Sequence, residues 1–233
     1  MRLHADPHER VVLCTPDLGW VPSPTTGIRR RMLERIGDEV AIATSIVEYA
    51  PGSAFPSHAH PGGEEIFVLG GSFADERGEY PEGTYLRNPP GSAHAPRSAQ
   101  GCTLFVKLRQ FTAGDDASVR VHTPTATWMP GLVRGLSVLP LHDHDGISTA
   151  LVRWAPHTRF GAHTHPGGEE ILVLAGTFHD EHGAYAAGTW IRSPRYSAHA
   201  PFTGDDGALI YVKVGHLGAT YVGAPPQRGT RQP

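Results

Sequence analysis

HAHPGGEEIFVLGGSFADERGEYPEGTYLRNPPGSAHAP, residues 58–96, returns as HTHPGGEEILVLAGTFHDEHGAYAAGTWIRSPRYSAHAP at 163–201, without a gap, at a shift of 105, with 25 of 39 positions identical. Self-similarity of this length decides the architecture first, because each copy must fold as the same unit. The match continues upstream, where residues 46–51 (IVEYAP) answer 151–156 (LVRWAP), and downstream, where 105–107 (FVK) answer 211–213 (YVK) after one inserted residue. The 233 residues therefore read as two tandem domains, 1–118 and 119–224, joined through the Gly/Asp/Pro-containing stretch around 112–130, with 225–233 as a disordered tail.

Inside each copy the hydrophobic pattern has period two, not 3.6. Residues 65–69 (EIFVL) form a β-branched and aromatic run bounded by Pro61-Gly62-Gly63 and Gly70-Gly71, which predicts a buried strand. Turns follow at 78–80 and 81–83, and the next strand, 84–87, stops at Asn88-Pro89-Pro90-Gly91. With 28 Gly and 21 Pro the chain is punctuated too often for a helical protein. The expected class is all-β: about eight short strands per half closing into a barrel, which leaves few exposed edges.

His58 and His60 are two residues apart, so on a strand both imidazoles point to one face and can meet one ion. The Pro61-Gly62-Gly63 turn brings a carboxylate of the adjacent pair Glu64-Glu65 back toward them, and His94 arrives from a later strand. The second half repeats the set with His163, His165, Glu169-Glu170 and His199. Three neutral nitrogens and one oxygen suit Zn, Fe(II), Mn, Ni or Cu. By contrast His142-x-His144 has no Gly-Gly-Glu after it and reads as an ordinary surface or loop pair.

His58-x-His60-x3-Glu64-x6-Gly71, followed by Gly83-x5-Pro89-x-Gly91-x2-His94, resembles the two signature motifs of the cupin superfamily, and the run 60–94 is similar in detail to the ChrR-like cupins. The resemblance covers nearly all of both halves. It implies two tandem cupin (double-stranded β-helix or jelly-roll) barrels, a bicupin, with one divalent transition metal (Fe, Zn, Mn or Ni) in each. It also selects the carboxylate, since Glu64 and Glu169 keep the six-residue spacing to Gly71 and Gly176. The implied ligands are His58, His60, Glu64 and His94 in the first half, and His163, His165, Glu169 and His199 in the second, with Glu64 and Glu169 doubling as catalytic proton acceptors. Glu65 and Glu170 then face away from the lumen as paired carboxylates of the barrel wall. One departure is Arg195-Tyr196 in place of Pro90-Gly91, which puts an aromatic side chain where it can overhang the second pocket.

Other repeated polar positions read as structural. Arg87 and Arg192 are expected to pair with Asp75-Glu76 and Asp180-Glu181. Lys107 and Lys213, the chain's only lysines, are expected as solvated strand ends, and Tyr85 and Trp190 as barrel-wall packing. The formal charge of −3 and the absence of a basic stripe beyond Arg29-Arg30-Arg31, read as a solvated turn, argue against a nucleic-acid partner. Two unpatterned cysteines, Cys14 and Cys102, argue against a disulfide framework or zinc ribbon. Met1 to Cys14 lacks a signal peptide's apolar run and no stretch has the length of a membrane span, so a cytoplasmic location without membrane association is expected.

Four protein ligands leave two positions open on an octahedral ion, enough for dioxygen and one oxygen of a substrate. The expected function is a small-molecule oxygenase of the dioxygenase type, acting on a diketone, enol or phenol, with a homodimer as a further possibility. The alternative is a ChrR-like metal- or redox-sensing protein without catalysis. ChrR-like cupins resemble the C-terminal part of a zinc-dependent anti-sigma factor, whose sigma-binding part carries a His-x3-Cys-x2-Cys motif; the roughly 40 residues ahead of the first repeat contain none.

Overall fold

The structure, a computed structural model, describes residues 1–38 and 40–223; the expected tail at 225–233 lies outside them. Among the described residues there is no α-helix, and eighteen strands have three or more residues. Those of the first copy are β1 (Val11–Cys14), β2 (Ile28–Gly37), β3 (Ala41–Tyr49), β4 (His58–His60), β5 (Glu64–Asp75), β6 (Gly78–Pro81), β7 (Thr84–Asn88), β8 (Ser92–His94) and β9 (Cys102–Leu108). The second copy follows with β10 (Val119–His122), β11 (Leu136–His144), β12 (Ile147–Trp154), β13 (His163–His165), β14 (Glu169–Asp180), β15 (Gly183–Ala186), β16 (Thr189–Ser193), β17 (Ser197–His199) and β18 (Phe202–Val214). All pairings are antiparallel, as hairpin-rich, Gly- and Pro-punctuated sequences require. The all-β, tandem-barrel expectation holds.

Each half consists of one large sheet and a two-stranded ribbon. The first large sheet runs β2–β3–β9–β5–β7–β10 and its ribbon is β4–β8; the second runs β11–β12–β18–β14–β16–β1 with ribbon β13–β17. The order contains an exchange. β10, the first strand of the second copy, pairs with β7, Tyr85 opposite Val121. β1, the first strand of the first copy, pairs with β16, Leu13 opposite Trp190. The division at 118/119 thus separates the two copies of the repeat but not the two sheets. In both cases a Thr-Pro turn ends the exchanged strand, Thr15–Asp17 and Thr123–Thr125.

Strand alternation sorts each large sheet into two faces. On β5, Ile66 and Val68 join the lumen cluster of the first barrel, with Tyr49, Phe73, Leu86, Leu104 and Val106. Their neighbour Phe67 faces the other way and packs with Ile46, Tyr85, Phe105, Leu172, Trp190 and Tyr211 in a core shared by both halves. Tyr85 and Trp190 are therefore wall residues, but of the wall between the barrels, where both are fully buried.

The polar partners on this shared face differ from the sequence expectation. Lys107 and Lys213 are not solvated: they are 1 % and 2 % exposed. They cross the interface reciprocally, Lys107 Nζ donating to both Glu170 oxygens at 2.6 and 2.7 Å, and Lys213 Nζ to Glu65 Oε2 at 2.6 Å. Arg87 donates two parallel hydrogen bonds to Asp115 at 2.8 and 2.7 Å, and Arg192 donates to Glu34 at 2.7 Å, so neither meets the acidic pair assigned to it. Arg29-Arg30-Arg31 is not a turn but part of β2, with Arg29 and Arg31 on opposite sides of Arg30 along the chain and both over the Trp20 ring.

Gly71 carries the conformational demand of the β5 bend. Its φ is +73° and an added Cβ would lie 2.2 Å from the Gly101 carbonyl oxygen, and Gly176 repeats this against Gly207 at 2.3 Å. Gly71→Ala is therefore expected to cost about 1–3 kcal/mol, read as a lowered denaturation midpoint; an unchanged midpoint would show that the bend relaxes freely.

Candidate metal centres

The ribbon supplies the histidines and the large sheet the carboxylate. On β4, the two-residue spacing sets His58 and His60 on one face, and antiparallel pairing places His94 of β8 opposite His58. Ligand-capable atoms of His58, His60 and His94 all lie within 4.8 Å of one another, and so do those of His163, His165 and His199. His60 Nε2 and His94 Nε2 are 2.9 Å apart; His199 Nε2 stands 3.1 Å from His165 Nε2 and 3.2 Å from His163 Nε2. Nitrogens each about 2.1 Å from a shared cation and at right angles to one another would be about 3.0 Å apart, so the spacing fits a common ion.

Glu64 joins from β5, Oε2 lying 3.5 Å from His60 Nε2 and 3.4 Å from His94 Nε2. Glu169 repeats this at 3.5 Å from His165 and 3.6 Å from His199. Alternation explains why this glutamate and not its neighbour reaches the cluster: Glu64 shares the lumen face with Ile66, while Glu65 shares the interface face with Phe67, where Tyr85, Tyr211 and Lys213 hydrogen-bond it.

Further groups set the orientation of the rings. The Pro56 carbonyl lies 2.8 Å from His58 Nδ1, and the Gly161 carbonyl 3.0 Å from His163 Nδ1, so a neutral ring that donates there turns its other nitrogen, as a lone pair, to the cluster. Behind His94, Asp75 Oδ2 stands 3.5 Å from Nδ1, and behind His199, Asp180 Oδ2 stands at 3.8 Å. Sequence reasoning assigned Asp75 and Asp180 to arginines and missed this place; their spacing before the Tyr80 and Tyr185 hydroxyls that bond them was the available signal. Glu76 and Glu181 instead accept the backbone N–H of Ala95 and Ala200, pinning the segment after each ligand histidine.

The electrostatics favour a cation. Burial pushes His60 and His165 down to about 4, and lowers His94 and His163, so at neutral pH these rings are uncharged donors. His199 goes the other way: burial would lower it, but the neighbouring carboxylates of Asp180 and Glu169 outweigh that. Burial raises Glu64, and raises Glu169 to about 7, because neither carboxylate has a full countercharge. A cation at the centre of each cluster would offset that charge, and the donor set of each could hold one.

Each cluster opens on a cavity, about 130 Å³ in the first barrel and about 160 Å³ in the second. Tyr196 does not overhang the second: it is 68 % exposed, with the Arg195 guanidinium over its ring. The second cavity is walled by Leu136, Val138, Val152, Trp154 and Phe160, with exposed Leu132 at its edge. His142 lies 3.0 Å from Asp115, on β11 and away from both clusters.

Two antiparallel barrels in one chain, each with a histidine ribbon and an inward glutamate, define a tandem cupin. The family model for the ChrR cupin-like domain matches residues 8–112 and again 116–218, and the chain belongs to that family. No curated protein sequence matches it. Solved structures show the same fold. One is a protein from Nostoc punctiforme PCC 73102 described as a candidate dioxygenase, at 17 % identity and TM-score 0.74 over 96 % of this chain and 89 % of that one. Another is YlbA from E. coli, at 17 % and 0.70 over 92 % and 94 %. Oxalate decarboxylase OxdC from Bacillus subtilis is similar at 14 % and 0.62 over 91 % and 77 %. At such identities the likeness speaks for the fold alone. Among the described residues no helix is long and apolar enough to cross a membrane.

Proposed function

We propose that this bicupin is a metal-dependent oxygenase of the dioxygenase type, acting on a small oxygen-bearing substrate such as a diketone, an enol or a phenol. The observation that carries this reading is the convergence of three imidazoles and one buried carboxylate at the wall of a cavity in each barrel. His58, His60, Glu64 and His94 would hold one divalent transition metal, and His163, His165, Glu169 and His199 a second; Fe, Zn, Mn and Ni all accept such donors. When bound, such an ion supplies Lewis acidity toward an oxygen-bearing substrate and, where redox-active, reactivity with dioxygen.

The chain's own residues have three tasks. The fixed rings confine protein donors to one side of the centre, which leaves the cavity side for substrate. The apolar wall of Val47, Ile66, Leu104 and Val106 lowers the polarity of the first lumen around the centre. Glu64 and Glu169 border the cavities and are placed to accept a proton from an acidic C–H or O–H of a substrate lying there. Likeness of fold to the Nostoc punctiforme protein described as a candidate dioxygenase supports the reading without fixing it.

The test is oxygen consumption. Protein purified without oxygen and loaded with Fe(II), Mn or Zn is mixed with β-diketones and hydroxyaryl ketones while dissolved oxygen is followed. Substrate-dependent uptake with a redox-active metal, reduced roughly 100-fold when Glu64→Gln and Glu169→Gln are combined, is the expected result. No uptake with any metal, together with tight zinc retention, would replace this reading by a metal-sensing regulatory one.

A further inference from the structure

The two cavities differ in charge, although the repeat makes their metal-binding sets alike. On β2, Arg30 pairs with Val47 of β3, and on β11, Val138 pairs with Val152 of β12. Val47 and Val152 are repeat equivalents at the 105-residue shift, so Val138 is the register counterpart of Arg30. Alternation along β2 turns Ile28 and Arg30 into the first lumen, while Arg29 and Arg31 lie over Trp20, Arg29 with Glu48 at 2.7 Å.

Among the described residues Arg30 takes no part in the ion-pair networks. Its Nε is buried without a hydrogen-bond partner, and the guanidinium has no ion-pair or hydrogen-bond partner among the described residues. It lines the 130 Å³ lumen cavity and also a second cavity of about 250 Å³ at the mouth, and His58 and His60 line both. Among the described residues the mouth adds Arg35 and Arg109 and no acidic residue, and the one carboxylate of the lumen is Glu64, which belongs to the histidine cluster. In the second barrel no arginine or lysine among the described residues lines the lumen cavity, whose only carboxylate among them is Glu169.

We infer that the first barrel is a site for a small carboxylate whose acid group sits on Arg30 and whose neighbouring oxygen points at the His58, His60, His94 and Glu64 cluster, and that the second barrel does not share this specificity. A guanidinium offers planar, paired N–H donors that match a carboxylate, and it is the residue type that recognises one best at a partly desolvated wall. Size narrows the class. A lumen of about 130 Å³ that opens toward the mouth favours a ligand of few carbons. A 2-oxo or 3-oxo acid of three or four carbons meets both the charge and the volume. The inference rests on the proposed function only in taking the histidine cluster as the far end of the site.

The experiment is calorimetric titration of the full chain, loaded with zinc and kept without oxygen, using pyruvate and acetoacetate and, as uncharged counterparts, their methyl esters. At least one acid is expected to bind once per chain, about 10-fold or more tighter than its ester. Arg30→Met should remove about 10-fold or more of the acid's affinity, leave the ester's unchanged and keep the zinc content of the parent protein. Arg30→Lys, which keeps the charge but not the fork, should fall between, and serves if the methionine variant does not fold. Arg29→Met, one residue along on the outer face, should bind the acid as the parent does. Binding of neither acid, two acids per chain, equal affinity for acid and ester, or an Arg30→Met protein that binds as before would each overturn the inference. Because no oxygen is present, these outcomes are independent of the uptake assay. A protein that binds acid through Arg30 but consumes no oxygen would sink the oxygenase reading and leave this one standing.

Discussion

Replacing Lys107 by methionine is expected to destabilise the protein by about 3–5 kcal/mol, the cost of leaving one member of a buried ion pair without its partner. Lys107 comes from β9 of the first barrel and Glu170 from β14 of the second, and both are almost fully buried. Burial alone would raise the Glu170 carboxyl; the Lys107 charge and the His216 contact at 3.3 Å outweigh it and hold the group well below its ordinary range. Without the ammonium that carboxylate must either stay charged in an apolar wall or take up a proton, and both options weaken the folded state. In a chain of this length 1 kcal/mol moves the melting temperature by about 2–4 °C, so the drop should be about 6–20 °C. The double substitution Lys107→Met with Glu170→Met should recover part of the loss, because two apolar groups of similar size need no partner across the interface. Urea titration of the metal-free single and double variants checks this, and a single variant losing less than about 1 kcal/mol would mean that water reaches the pair.

That ion pair also marks where sequence reading stopped. The barrels, the ribbon histidines and the turn before Glu64 were all legible, because each depends on local spacing: one residue between paired rings, period two along a strand, glycine where the chain bends. The choice between Glu64 and Glu65 rested on resemblance, and the structure supplies its physical reason in the two faces of β5. Long-range partners were not legible. Arg87 meets Asp115 from the linker between the copies, Arg192 meets Glu34, and the two lysines cross to the opposite barrel. These contacts follow from strand exchange and barrel-on-barrel packing, which leave no periodic trace. A signal did exist for the lysines: Lys107 has the same parity as Phe105, and Lys213 as Tyr211, and both aromatic residues face the shared core. Arg30 was hidden for a different reason, since a run of three arginines masks the alternation that sends only the middle one inward.

Removing metal from both barrels should lower the melting temperature, and each barrel should contribute separately. The four groups of one centre lie on three strands, with β4 and β8 in a two-stranded ribbon and β5 in the large sheet. A two-stranded ribbon is marginal by itself, and hydrogen bonds such as Ala95 N–H to Glu76 Oε2 and Arg109 N–H to Gly63 O tie its ends rather than its middle to the rest. An ion shared by His58, His60, His94 and Glu64 would fasten that middle to the large sheet. Free metal at about 100 times its dissociation constant stabilises by about 2.7 kcal/mol per site, so saturation of both sites should be worth about 5 kcal/mol and about 10–20 °C. His60→Ala should release the ion of the first barrel only, leaving one per chain by elemental analysis and about half of the metal-dependent shift, and His165→Ala should do the same for the second. Amide exchange adds a local readout: metal should slow exchange in β4 and β8 of the parent protein but not of His60→Ala, while β13 and β17 stay protected in both. A melting curve that does not move when a chelator takes both ions, or a His60→Ala protein that still carries two, would show that the ribbon is held without metal and that the clusters are not the sites that bind it.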